Sequence, residues 1–258
     1  MKFTLTGTAS GIPVVHRRHA SLVIEEGAQR VLVDAGEGAA AALLAAHIPL
    51  DSITRVIISH THADHVAGLP MLLQGMYLAR REAPLQISVP PGRVQWFRDW
   101  LRGMYVFKEK WCFDFQVQQY GDMVSTEDGL RIAPFANRHL EKVRELAARH
   151  DVTAMAYSLH VSSLCCSAVI SSDIAGIEDV AAAAAGSDLL IIDSAHVSQD
   201  DIYAFASAHE QLSIICTHIP PELEPGLMAL RERSAAETGG RVTYAYDGME
   251  FMLEKTQA

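Results

Sequence analysis

Several things are scarce or missing in this 258-residue chain, and each absence narrows what it can be. No apolar run approaches the roughly 18 residues that a membrane span needs, so no membrane partner is expected. The opening Met1-Lys2-Phe3-Thr4-Leu5-Thr6 alternates like a strand and lacks the apolar core of a signal peptide. Cysteine is sparse: four residues, with Cys165 and Cys166 adjacent, give no disulfide framework and predict a reducing, cytoplasmic setting. Low-complexity linkers, fixed-period repeats and blocks of like charge are missing too, which predicts a single domain over 1–258. Basic charge is in deficit. With 21 Lys+Arg against 31 Asp+Glu the formal net charge is −10, which argues against wrapping nucleic-acid phosphates but allows a small anionic substrate drawn to a local positive site. What remains is a composition of 49% hydrophobic and 20% charged residues, that of a globular enzyme, with an unusual twelve histidines.

Short strands broken by glycine are expected at Phe3–Gly7, Ser21–Glu25 and Arg30–Val33, then a helix over Ala39–Ala46. Val56-Ile57-Ile58-Ser59 reads as a strand buried on both faces, followed by one long helix from Val66 to about Arg81. Pro90–Phe115 holds all three tryptophans. It is expected to be an amphipathic helix with an aromatic core stripe, or else a cap that stacks an aromatic group over a pocket. Further strands fall at Arg131–Phe135, Ala156–His160, Ala168–Ser171, Leu189–Asp193 and Ser213–Thr217. Helices fall at Ile177–Ala185, Gln199–Ala208 and Pro225–Thr238. Asp247-Gly248 signals a closing hairpin between Arg241–Tyr246 and Met249–Leu253.

Directly after the buried strand stands His60-Thr61-His62-Ala63-Asp64-His65. Side chains two apart in an extended segment point to one side, so His60 and His62 can grip one ion while Asp64 and His65 face another. Imidazole and carboxylate without thiolate suits zinc, manganese or iron. Four residues do not close two sites. His139, Asp173 and His218 each lie just past an apolar strand, where α/β folds collect ligands. His16 and His19 are expected to make loop contacts; His47, His150 and His160 have no partner pattern.

His60-x-His62-x-Asp64-His65 with His139, Asp173 and His218 resembles the metallo-β-lactamase superfamily, in the phosphodiesterase branch typified by ribonuclease Z. Leu5–Pro13 and Asp34-Ala35-Gly36-Glu37-Gly38 match that branch as well. Thr217-His218-Ile219 and Tyr246–Glu250 are most similar to the phosphoribosyl cyclic phosphodiesterases. The resemblance implies an α/β protein with a four-layer αββα sandwich and two divalent metal ions, zinc before manganese. It implies that His60, His62 and His139 hold one ion, that Asp64, His65 and His218 hold the other, and that Asp173 bridges them. Asp34 would orient a ligand histidine, consistent with the need of a ligating imidazole for an acceptor on its other N–H.

The implied activity is that of a dinuclear metal-dependent hydrolase of ester bonds. It would be a phosphodiesterase acting on a small nucleotide-like or cyclic phosphate by attack of a metal-bridging hydroxide. Asp64 and His196 are the catalytic candidates, His196 as general acid ahead of the helical His209. Arg17, Arg18 and Arg138 are candidates for substrate binding. Ester, thioester or sulfate-ester hydrolysis, or non-catalytic metal binding, are the alternatives. Relatives carry a cysteine-bearing cluster near the N-terminus; Val14–His19 has no cysteine, so no third metal is expected. The stretch between His139 and Asp173 is too short for the tRNA-gripping arm of ribonuclease Z, so tRNA is not expected as a partner. A homodimer stays open.

Overall fold

The computed structural model describes residues 1–121, 123–125 and 129–253. The first half runs β1 (Lys2–Gly7), β2 (Ser21–Glu26), β3 (Gln29–Val33), α1 (Ala39–Ala45), β4 (Arg55–Ile57), α2 (Ala63–Val66), α3 (Leu69–Leu78), β5 (Leu85–Val89), α4 (Val94–Gly103) and β6 (Phe115–Gln119). The second runs β7 (Val124–Ser125), β8 (Arg131–Asn137), α5 (Arg144–Arg149), β9 (Ala156–Ser162), β10 (Ser167–Ile170), α6 (Ala181–Ala184), β11 (Leu189–Asp193), α7 (Gln199–Ala208), β12 (Ser213–Thr217), α8 (Leu227–Thr238), β13 (Val242–Tyr244) and β14 (Met249–Met252).

These strands form two seven-stranded sheets, in the orders β14-β1-β2-β3-β4-β5-β6 and β13-β12-β11-β10-β9-β8-β7. In the first, β3 to β6 are parallel and their connections carry α1, α2, α3 and α4. In the second, β10 to β13 are parallel, with α6, α7 and α8 in the connections, because parallel neighbours need crossovers of this kind. Three apolar layers separate the four layers of structure. Leu43, Leu69, Leu73 and Phe97 cover the outer face of the first sheet. Phe3, Leu5 and Ile24 meet Leu159, Ile170 and Ile191 between the sheets. Ile202, Tyr203 and Tyr244 cover the outer face of the second. This is the expected αββα sandwich. β11, Leu-Leu-Ile-Ile-Asp, is buried along its whole length, as a parallel strand covered on both faces must be.

Three expectations about elements need correction. The helix expected from Val66 to Arg81 is two helices. Gly68 N–H leaves the helical ladder to donate to Ala35 O at 2.9 Å, and Pro70 has no N–H with which to continue it. A Cβ at Gly68 would lie 2.0 Å from Gly36 O, so only glycine admits this approach. The alanine-rich segment forms a 3-10 turn at Ile177–Asp179 and the short α6 rather than one helix. Asp247-Gly248 does not close a hairpin: β13 pairs in parallel with β12, and β14 pairs antiparallel with β1 in the other sheet. The turn instead carries the chain from one sheet to the other.

The Trp-rich segment divides. Phe97, Phe113 and Phe115 are core, whereas Trp96, Tyr105 and Phe107 are exposed, and Phe107 lines a groove of about 510 Å³ along α4 and the edge strand β6. None of the candidate ligands lines that groove. No helix among the described residues is long and apolar enough to cross a membrane.

Candidate metal centre

The candidate site residues sit just past the ends of strands, all at one edge of the sandwich. Asp34 follows β3, His60 to His65 follow β4, His139 follows β8, Asp173 follows β10, His196 follows β11 and His218 follows β12. Two groups of ligand atoms hold the candidate ligands, each within 4.8 Å: His60, His62, His139 and Asp173, and Asp64, His65, Asp173 and His218; a third group, Asp173, Asp193, His196 and His218, overlaps them. Asp173 belongs to all three. In the first, His62 Nδ1 lies 3.0 Å from His60 Nε2 and 3.2 Å from His139 Nε2. In the second, His65 Nε2 lies 3.1 Å from Asp173 Oδ1 and 3.6 Å from Asp64 Oδ2, and His218 Nε2 lies 3.7 Å from Asp64 Oδ2.

His65 Nε2 and Asp173 Oδ1 are buried and have no hydrogen-bond partner although they lie so close. Buried polar atoms are ordinarily satisfied, and a cation between these two would satisfy both. Burial also drives the His60 imidazole well below its ordinary pKa, lowers that of His62 and brings His139 to about 4. Near neutral pH these three rings are therefore uncharged, with a lone pair available for a ligand bond. For Asp173 burial works against ionisation, but the His65 and His218 rings outweigh it and hold the carboxyl well below the usual range.

Asp34 organises the network behind the cluster. Its Oδ1 accepts from Ser59 N–H at 2.7 Å, and its Oδ2 accepts from Ser59 Oγ and from His65 Nδ1, each at 2.7 Å. Ser59 Oγ in turn lies 3.1 Å from His60 Nδ1. With Nδ1–H donating in both rings, His65 and His60 present Nε2 to the cluster. Burial works against a charged His65 ring, but Asp173 and Asp34 outweigh it and raise its pKa well above the ordinary value. Asp34, Ser172 and His218 adopt φ of 61°, 49° and 56°. Left-handed backbone in non-glycine residues is costly and concentrates at functional sites.

His196 stands at the mouth of the cluster. Its Nδ1 lies 2.7 Å from Asp193 Oδ2, and Asp193 Oδ1 accepts from the N–H groups of Ala195 and His196. This hydrogen bond raises the His196 pKa. The ring packs 4.9 Å from His139 and 5.8 Å from His218. His209 lies against Phe205 at the end of α7, away from the cluster.

The three arginines expected to bind substrate have other partners. Arg17 is buried and pairs with Glu224, Thr8 Oγ1 and Ala245 O, so it is a strut between the first loop and the second sheet. Arg138 is paired with Asp179 and Glu178. Arg18 lines a shallow groove against α1 with Thr6, His16 and Asp247, and no candidate ligand lines that groove. Arg17 and Arg138 thus already have carboxylate partners, whereas among the described residues the Arg18 guanidinium has only Val15 O at 3.5 Å.

Other residues here were not legible as functional. Ser59 looks like an ordinary strand-end serine, and Asp193 like a strand terminus, although its place three residues before His196 was a usable signal. Arg93 reaches Thr61 Oγ1 at 2.9 Å, between the first two histidines. Asp247 accepts from Thr8 N–H, Thr8 Oγ1 and Arg18 N–H, pinning the first loop where a hairpin was expected.

Residues 1–222 match the family described as Anti-Pycsar protein Apyc1. The chain belongs to that family. The Apyc1-family chain is also 33% identical over 140 residues to a ribonuclease Z of Methanothermobacter thermautotrophicus, covering 54% of this chain and 45% of that protein. It thus spans about half the length of the curated relatives it matches. Its fold is that of the Bacillus subtilis metallo-β-lactamase fold protein YhfI, with a TM-score of 0.75, 18% identity and coverage of 97% of this chain and 98% of that one. It is also that of human tRNase Z, short form, with a TM-score of 0.71, 20% identity and coverage of 98% and 100%. The chain therefore has the metallo-β-lactamase fold and is similar in sequence to ribonuclease Z proteins, and its His/Asp clusters imply divalent metal ions.

These relatives correct one expectation. The short His139–Asp173 stretch predicted that tRNA is not a partner, yet the relatives bear the names ribonuclease Z and tRNase Z. A missing arm removes one means of gripping RNA; it does not remove the ligand cluster. The exclusion of tRNA does not stand.

Proposed function

We propose that this protein is a dinuclear metal-dependent phosphodiesterase, acting on a small nucleotide-like or cyclic phosphate, with 1–258 as one domain. The observation that supports this most is the pair of ligand groups that share Asp173. In this reading His60, His62 and His139 hold one ion, Asp64, His65 and His218 hold the other, and Asp173 serves both. Zinc is the first choice and manganese the second, since neutral imidazoles with carboxylates suit either. When bound, such ions supply Lewis-acid charge for the phosphoryl oxygens and lower the pKa of water.

The chain's own residues do the rest. Asp34, directly for His65 and through Ser59 for His60, keeps two imidazoles in one tautomer and orientation. Asp64 is held where its carboxylate faces both His65 and His218. His196, steadied by Asp193, delivers a proton to the departing oxygen. An exposed His62 leaves that side of the cluster open to substrate. Four unpaired cysteines fit a reducing, cytoplasmic setting.

The test is a substrate panel with metal analysis on the purified protein. It contains cyclic nucleotides, bis(4-nitrophenyl) phosphate, an RNA phosphodiester, a thioester and a carboxylic ester. Metal-dependent turnover of phosphodiesters above the other classes supports the reading. Turnover confined to the thioester or carboxylic ester overturns it.

A further inference from the structure

His139 and Asp173 stand on loops that, among the described residues, no strand ladder joins. His139 follows β8 and Asp173 follows β10, and β9 lies between those two strands in the second sheet. The side chain of Asn137, the last residue of β8, crosses the gap. Its Oδ1 accepts from the His139 N–H at 3.1 Å, and its Nδ2 donates to Asp173 O and to Ser158 Oγ, each at 3.0 Å. Ser158, fully buried on β9, extends the connection by donating to Ser171 O at 2.7 Å.

These partners fix which way the carboxamide points and why the position calls for one. A peptide N–H can only donate and a peptide carbonyl can only accept, so an oxygen and an NH2 group are needed on one short side chain. Aspartate has no hydrogen for Asp173 O, and alanine offers neither group. The two residues held in this way belong to one ligand group, with His60 and His62. His139 Nε2 lies 3.6 Å from Asp173 Oδ2. Two ligands of a tetrahedral zinc ion are about 3.4 Å apart, so the spacing is close to that of a loaded site. Asp179 ties the same loops at Arg138 and Ala175, whereas Asn137 holds the ligand residues themselves.

We propose that Asn137 is the positioning residue of the first ligand group, setting the spacing of His139 from Asp173 and with it the affinity of that group for its ion. The inference rests on the metal-centre part of the proposed function and not on the substrate. The second group shares only Asp173 with this pair, so it depends on Asn137 less.

Cobalt(II) titrated into the metal-free full-length protein tests this, with visible absorption reporting the ligand geometry. Asn137→Asp is placed in two backgrounds: Asp64→Ala, which leaves only the first group complete, and His62→Ala, which leaves only the second. In Asp64→Ala it should weaken cobalt binding about 10- to 100-fold, the usual effect of losing a partner behind the ligands, and change the absorption bands. In His62→Ala the loss should be several times smaller. Equal losses in both backgrounds, or no loss in either, overturn the proposal, because a residue that only supports the fold would act on the two groups alike. If Asn137→Asp does not fold, Ser158→Ala, which removes one partner of the carboxamide, should show the same bias toward the first group at smaller size; absence of the bias overturns the proposal. Wild-type protein that binds two cobalt ions yet cleaves no phosphodiester would overturn the hydrolytic reading alone, and the cobalt affinities would still decide the role of Asn137.

Discussion

The 2.7 Å contact between Asp34 Oδ2 and His65 Nδ1 joins a left-handed residue at the end of β3 to a fully buried imidazole in the candidate metal centre. Asp34→Asn keeps the shape but offers His65 a poorer acceptor and disturbs the Ser59 link to His60. Metal affinity should fall about 10- to 100-fold, the usual effect of losing such a partner, with the fold retained. Chelator competition, with circular dichroism as the control, measures it; unchanged affinity would show that Asp34 is only a turn residue.

Asp179 ties together the two loops that carry His139 and Asp173. Its carboxylate accepts from Arg138 N–H and side chain and from Ala175 N–H. Burial works against its ionisation, but these hydrogen bonds outweigh it and hold its pKa below the ordinary aspartate value. A depressed folded-state pKa means the stabilisation is present at and above the ordinary value and is lost as pH falls through the folded one. Asp179→Asn should therefore lower Tm near pH 7, and its deficit against the wild type should shrink in that acid range. A deficit constant down to pH 2 would contradict this.

His196 is assigned to proton delivery, so its removal should matter in proportion to the basicity of the leaving group. His196→Ala should slow an alkoxide-leaving diester about 10²- to 10⁴-fold, and slow release of 4-nitrophenolate far less. Asp193→Asn should follow the same pattern more weakly. Equal losses on both substrates would assign His196 to the ligand network instead.

Gly36 is held against the ligand helix α2: a Cβ there would lie 2.1 Å from Asp64 O and 2.7 Å from His19 Cβ. Since the first of these is backbone, the helix itself must shift. Gly36→Ala should cost about 1–3 kcal/mol of stability, as overpacking does, and loosen metal binding by displacing Asp64. Chemical denaturation and elemental analysis of one preparation read both.

The ligand motif was legible because it is local: His60 to His65 fall within one strand-to-helix connection. His139, Asp173 and His218 were legible because each follows a run of apolar residues, the signature of a buried strand. What was hidden depends on partners distant in sequence. Gly68 breaks its helix because the Gly36 backbone occupies the space beside it. Asp247-Gly248 has hairpin chemistry, but its flanking strands find better partners in β12 and β1. Arg17 and Arg93 are equally polar letters in the sequence. Only the fold gives one a glutamate and the other the Thr61 hydroxyl. The tRNA expectation went astray for a related reason, because the length of one segment says nothing about what the ligand cluster cleaves.

The central claim is tested most directly by elemental analysis of the purified wild-type protein and Asp173→Ala, with phosphodiester turnover followed in the same samples. The account predicts two divalent ions per wild-type chain, and loss of both the second ion and turnover in the variant. Full phosphodiester turnover by Asp173→Ala, or by wild-type protein stripped of metal, would contradict it.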